Sequence, residues 1–285
     1  MDNKWIVCSF LCLYIYASSA SSEIIKLSSA SRQAIEAEYL SGTNNGSPVL
    51  LLHGFLQTNK FSTVSRLAAT LHESGYSVLN PTLSLGISNR KQSLACEAIH
   101  THSLDTEADE LGQWIQWLHK KTKKPVILIG HSAGGPVILK YMQDNNAKYI
   151  KHSVLISLSY YASGPTANET EAHAEMARAA LNNDTNPIGT YALNYCKTYP
   201  TYARSFLSYY QWDRDRVSDA VGQFENRISV IIGGEDKRID GDWHQKLKSI
   251  YSNITVIDGA NHFFDQAYEF ELTDTVEEIL AQKIM

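Results

Sequence analysis

The run from Val126 to Met142 restricts the possible folds of this chain more than any other stretch. Val126-Ile127-Leu128-Ile129 has the branched apolar character of a buried strand. Gly130-His131-Ser132-Ala133-Gly134-Gly135 follows as a Gly-x-Ser-x-Gly turn. Pro136 then opens Val137-Ile138-Leu139-Lys140-Tyr141-Met142, whose apolar spacing is helical. Strand, sharp turn and helix thus come in immediate succession. Glycine at 130 and 134 suits a strained turn where strand and helix approach closely, because a Cβ there would clash or forbid the backbone angles. Pro136 fits a first helical turn, where a missing N–H is no loss.

The rest of the chain repeats the alternation. Opening strands are expected within Ile24–Leu40, and a buried strand Pro48–Leu52 ends at His53-Gly54-Phe55. A helix over 62–74 has Gly75 at its C-terminus, and a short strand over 76–81 follows. After a loop from Thr82 to Ser103, Leu104, Ala108, Leu111, Ile115 and Leu118 recur at helical spacing, with acids early and lysines late to complement the dipole. Strands are then expected at His152–Leu158, Arg227–Gly233 and Asn253–Ile257. Strands alternating with helices predict a mostly parallel sheet with helices on both faces. Between Ser159 and Phe224 no strand is expected; Glu169–Leu181 reads as a helix, and eight of the sixteen tyrosines fall there. An insertion of that length reads as a helical lid over about 159–224, above the C-terminal edge of the sheet where open α/β folds bind ligands.

Composition narrows the partners. The 285 residues are 44% hydrophobic and 19% charged, with a net charge of −5, so nothing favours nucleic acid. Lys4, the apolar stretch Trp5–Ala17 and the small residues Ser18-Ser19-Ala20 read as a signal peptide over residues 1–20. The domain then covers 21–285, and the protein is expected to be exported, periplasmic or secreted. Cys8 and Cys12 leave with the signal; Cys96 and Cys196 remain and are expected to pair as a disulfide in an oxidising compartment. Cys96, His100 and His102 match no recurrent metal-ligand spacing, so no metal is expected. No oligomeric state is implied.

A serine hydroxyl on such a turn needs a base, and the base needs a carboxylate to fix its tautomer. In strand–turn–helix sites of this kind the chain order is serine, acid, histidine. Of the histidines downstream of Ser132, only His262 follows a strand-like run through a glycine turn; His152, His173 and His244 suit structural or solvated roles. Asp236, just past the end of Ile231-Ile232-Gly233, is the expected acid, with Glu235, Asp240 and Asp242 as alternatives. The backbone N–H groups of Ala133 and Phe55 are the expected oxyanion donors. His53 reads as a structural residue beneath that loop.

His53-Gly54-Phe55, the Gly130–Gly135 turn, Asp236 and Gly259-Ala260-Asn261-His262-Phe263-Phe264 together resemble the α/β-hydrolase superfamily, in the order the family uses. Pro81–Arg90 is similar to the matching stretch of exported bacterial hydrolases. The resemblance implies an α/β-hydrolase fold from about Ser47 onward, with a mostly parallel eight-stranded sheet. It implies Ser132 as nucleophile, His262 as base and Asp236 as orienting acid, with no cofactor. An aromatic and a leucine follow His53-Gly54 where tertiary-alcohol esterases carry a glycine run, which argues against that class. The expected activity is an esterase- or lipase-like serine hydrolysis through an acyl-enzyme on Ser132. The substrate would be a small-molecule or lipid-like acyl compound, with the aromatic lid favouring acyl chains or aromatic esters. Amidase, peptidase or thioesterase chemistry on the same residues, or a binding protein without turnover, are the alternatives.

Overall fold

Alternation decides where each strand residue goes. In Val49–Leu52 (β3), Leu50 and Leu52 enter one core while Val49 and Leu51 enter another. In Val126–His131 (β5), Leu128 joins the first and Ile127 and Ile129 the second. Both faces of the central sheet are therefore covered, which is why its strands read as continuous apolar runs. The computed structural model describes residues 22–181, 185–239 and 241–284; the expected signal segment lies outside them.

The described residues form an eight-stranded sheet. Ser22–Ser28 (β1) and Ala34–Leu40 (β2) pair antiparallel, and β2 pairs antiparallel with Val78–Thr82 (β4). From β4 the sheet is parallel through β3, β5, Ile150–Ile156 (β6), Ile228–Gly233 (β9) and Ile254–Ile257 (β10). Leu104–Thr122 (α2) and Gly134–Asp144 (α3) pack on one face; Ser62–Glu73 (α1) and Tyr268–Ile284 (α8) pack on the other. The α2 helix starts in a capping box between Ser103 and Thr106, and Lys123 closes it in the left-handed region at φ 60°. No helix among the described residues is long and apolar enough to cross a membrane.

The segment between β6 and β9 corrects the sequence reading. Besides the expected helix (Ala167–Leu181, α4), it holds an antiparallel hairpin, Ile188–Leu193 (β7) and Cys196–Tyr202 (β8), followed by Ala203–Tyr210 (α5) and Arg214–Gln223 (α6). The hairpin was illegible because its strands are rich in tyrosine, threonine and proline, with little apolar alternation. It pairs with no strand of the main sheet, and the Cys96–Cys196 disulfide ties it to the loop after β4 across 100 residues of sequence. Cys96 is thereby committed to a sulfur bond.

Between α2 and the loop after β4 lies a buried polar pair. Glu110 on α2 accepts from the Ser84 N–H at 2.9 Å and from the Ser84 hydroxyl at 2.6 Å. Burial outweighs those bonds and pushes its carboxyl up to about 7. The folded state then keeps a proton that the unfolded chain sheds above its ordinary value of 4.5, so this residue's contribution falls as pH rises through that window. Replacing Glu110 by Gln should remove the loss: the Tm difference, variant minus wild type, is expected to grow between pH 4.5 and about 7. A pH-independent difference in thermal melts would contradict this.

Candidate active site

The turn after β5 carries Ser132 in the left-handed region at φ 55°, a conformation that costs a non-glycine residue about 1–2 kcal/mol. Backbone bonds hold it there. The Ser132 N–H donates to the Ile156 carbonyl at 2.8 Å, and its own carbonyl accepts from the Gly135 N–H at 2.9 Å. The turn lies hard against the end of β3: a Cβ on Gly134 would stand 2.8 Å from the His53 oxygen and 2.9 Å from the Leu52 oxygen. A Cβ on Gly54 would reach within 3.3 Å of the Ser132 Cβ. The loop after β3 and the turn after β5 are thus in contact.

Ser132, His262 and Asp236 meet at the C-terminal ends of β5, β10 and β9. His262 Nε2 lies 2.9 Å from Ser132 Oγ, and His262 Nδ1 lies 2.7 Å from Asp236 Oδ2. An ionised carboxylate only accepts, so Nδ1 carries the proton and Nε2 is left to receive one from the hydroxyl. Asp236 is buried, and its other oxygen accepts from the Arg238 N–H at 3.0 Å. Burial pushes its carboxyl up, but the bond and charge from His262, with that N–H, win and hold it below the ordinary carboxylate range. Of the alternative acids, Glu235 is exposed and pairs with Lys237, while Asp242 lies in Gly241–Ile250 (α7). Asp240 lies outside the described residues.

The other histidines separate cleanly. His152 bonds Ser229 Oγ at 2.9 Å, and His173 Nδ1 accepts from the Ala192 N–H at 2.7 Å. The buried Nε2 of His244 has no partner among the described residues. His53 accepts the Leu83 N–H on Nε2 at 3.1 Å and donates from Nδ1 to the Gly54 carbonyl at 2.9 Å. Burial, reinforced by the Arg90 charge, pushes its imidazole down to about 3, so it stays neutral beneath the loop. The Phe55 and Ala133 N–H groups take no partner among the described residues.

Residues 49–271 match the sequence profile of the alpha/beta hydrolase family. The chain belongs to this family. No curated protein matches the sequence. Solved structures with the same fold include Est1E from Butyrivibrio proteoclasticus (TM-score 0.64, 15% identity, covering 92% of this chain and 98% of that one). The alpha/beta hydrolase GrgF from Penicillium sp. sh18 aligns at TM-score 0.69 and 11% identity, over 93% and 99% of the two chains. A thermophilic esterase from Thermogutta terrifontis aligns at 0.60 and 17%, over 92% and 100%.

Two groups at this hydrolase's site escaped the sequence. His131 Nε2 donates to the His262 carbonyl at 2.9 Å, and the Ser157 hydroxyl donates to the same oxygen at 3.0 Å. Burial, with the neighbouring His262, pushes His131 down to about 3, leaving it a neutral donor. Two donors from the ends of β5 and β6 therefore pin the backbone of His262. The signal for His131 was its place inside the turn motif, on the strand face opposite Ser132.

A cleft of about 640 Å³ opens over Ser132 and His262. Of the eight tyrosines in the segment between β6 and β9, only Tyr195 lines it. Tyr160, Tyr161, Tyr191, Tyr199 and Tyr209 are buried in the body. These rings pack as core, and the aromatic side chains that line the cleft are Phe55, Tyr195 and Phe263. Gly134→Ala should force the Leu52 and His53 carbonyls apart, a close overpacking that costs about 1–3 kcal/mol. A lowered Tm is expected, and an unchanged melt would show that the contact yields freely.

Proposed function

We propose that this chain is a serine hydrolase that cleaves an ester, or a related acyl bond, through an acyl-enzyme on Ser132. The single observation that carries the reading is the unbroken line of hydrogen bonds from Ser132 Oγ through His262 to Asp236 at the floor of an open cleft. In this mechanism His262 Nε2 takes the hydroxyl proton as Oγ bonds to the substrate carbonyl carbon. The carbonyl oxygen becomes an oxyanion facing the Phe55 and Ala133 N–H groups, which take no other partner among the described residues. Collapse breaks the bond to the leaving alcohol, which receives the proton from His262. Water, deprotonated by the same imidazole, then releases the acid. Asp236 stabilises the imidazolium and fixes its orientation without taking the proton.

The cleft has a mixed lining, apolar at Phe55, Tyr195, Ile239 and Phe263 and cationic at its rim. Among the described residues no carboxylate lines it, whereas Arg238 and Lys237 do, Lys237 paired outward with Glu235, and Asn194 and Gln57 supply amides. Arg238 lies over the Phe263 ring at 4.7 Å, beside His262. We read this rim as suited to an ester that carries a carboxylate or another anionic group. Est1E has been seen with ferulic acid bound and the Thermogutta terrifontis esterase with malate bound, both small acids. The Cys96–Cys196 disulfide supports an oxidising compartment, and with it export.

A fluorophosphonate probe should label the wild type and leave Ser132→Ala unlabelled, with turnover lowered roughly 10⁴-fold or more. Asp236→Asn should lose about 10⁴-fold in kcat. Labelling of Ser132→Ala, or its unimpaired turnover, would end the acyl-enzyme reading. For charge selection, 4-nitrophenyl hemisuccinate should be compared with the neutral 4-nitrophenyl butyrate. Arg238→Gln should lower kcat/KM for the hemisuccinate by roughly three- to fivefold, the scale of an exposed charge, and leave the butyrate unchanged. Equal effects on both esters would refute an anionic preference.

A further inference from the structure

Three consecutive carbonyls next to the active serine are each held by a different partner. The Tyr195 hydroxyl donates to the Phe55 oxygen at 3.1 Å. The Leu94 N–H donates to the Leu56 oxygen at 3.0 Å, and the Arg90 guanidinium to the Gln57 oxygen at 2.6 Å. Leu56 sits in the left-handed region at φ 58°, so the loop has a conformation that its surroundings must impose. The peptide unit just before is fixed as well, because the Gly54 oxygen receives His53 Nδ1 at 2.9 Å and the Gln57 N–H at 3.2 Å. No peptide bond among the described residues is cis. In a trans unit the N–H points opposite to the C=O, so anchoring the Gly54 oxygen aims the Phe55 N–H.

Two of these holds flank the disulfide. Leu94 is two residues before Cys96, Tyr195 is one residue before Cys196, and the two cysteine Cα atoms lie 5.3 Å apart. The cross-link thus joins the loop after β4 to the turn of the β7–β8 hairpin at the point where both grip the loop after β3. The Phe55 ring is also enclosed, with Tyr195 and Tyr199 at 5.6 Å and Tyr161 at 6.2 Å.

We propose that the Cys96–Cys196 disulfide and the Tyr195 hydroxyl act together as a clamp that holds the loop after β3, and through it the Phe55 N–H, on the oxyanion. Tyr195, Cys96 and Cys196 are then positioning residues rather than parts of a loose cover. Hydrogen bonds weaken steeply as they bend, so a loop that drifts would lose rate before it loses fold. The inference rests on the acyl-transfer reading above, in which the Phe55 N–H is a donor.

Tyr195→Phe tests it, since it keeps the ring and removes only the hydroxyl bond to Phe55. With 4-nitrophenyl acetate, kcat should fall about five- to tenfold, a fraction of the 10²–10³ lost when a whole donor is removed. KM and Tm should stay near wild type. Phenylboronic acid, which forms a tetrahedral serine adduct with an oxygen in the oxyanion position, should inhibit more weakly by a similar factor. Cys96→Ala/Cys196→Ala should lower kcat in the same direction, and combining it with Tyr195→Phe should cost less than the product of the separate effects. Wild-type kcat and boronate affinity in Tyr195→Phe would overturn the clamp. Fully multiplicative losses would remove the disulfide from it. A wild-type enzyme that turns over no ester would instead defeat the acyl-transfer reading itself. Should the cysteine variant fail to fold, the Tyr195→Phe kinetics still decide.

Discussion

The close crossing of β5 and α3 is the constraint on which the rest of the site depends. Ser132 can occupy the left-handed region at φ 55° only because the chain passes without a Cβ on either side. At Gly130 a Cβ would lie 2.7 Å from the Ile138 side chain, and at Gly134 it would strike the end of β3. The backbone strain is local, but the support is not: the Ile156 carbonyl of β6 takes the Ser132 N–H. A half-buried hydroxyl facing the cleft at a strand end is therefore a property of three neighbouring parallel strands, and a change in any one of them would move it.

The loops around that hydroxyl obey one rule: they are fixed through their carbonyls, by donors from neighbouring elements. The His262 oxygen is held by His131 and Ser157, and the loop after β3 is held at Gly54, Phe55, Leu56 and Gln57. Such bonding leaves side chains and N–H groups free to face the cleft. It also explains why two buried histidines at the site, His53 and His131, are kept neutral by desolvation. Each acts as a shaped donor, and a positive charge on either would have to be solvated in an apolar surround.

The central strands were legible because they bury both faces and so read as largely apolar runs, and β3, β5 and β9 each lead into a turn that contains glycine. Ser132, Asp236 and His262 could be singled out because each stands just past such a run, in an order the chain itself supplies. The hairpin β7–β8 could not be read, since its alternation is carried by tyrosine and threonine and not by aliphatic residues. Arg90 gave no signal either. A buried arginine in a loop has meaning only once the carbonyls of Leu83, Gln57 and Gln92 converge on it.

The tyrosines of the segment between β6 and β9 serve mostly as core. Tyr209 bonds Glu107 at 2.5 Å, Glu107 bonds His102 at 2.9 Å, and Tyr199 lies 3.3 Å from the other His102 nitrogen. A phenol buried with such a partner serves as a core side chain that also satisfies a buried acid, a combination phenylalanine cannot supply. The aromatic density thus fastens the hairpin to α2 and builds the floor under Phe55. The cleft itself is lined by residues that follow β3, β5, β6, β9 and β10 and by the hairpin turn. There, a lysine, an arginine and an amide meet the cleft with no carboxylate among the described lining. A segment whose rings are mostly packed into the core is costly to displace, because moving it would expose them to water.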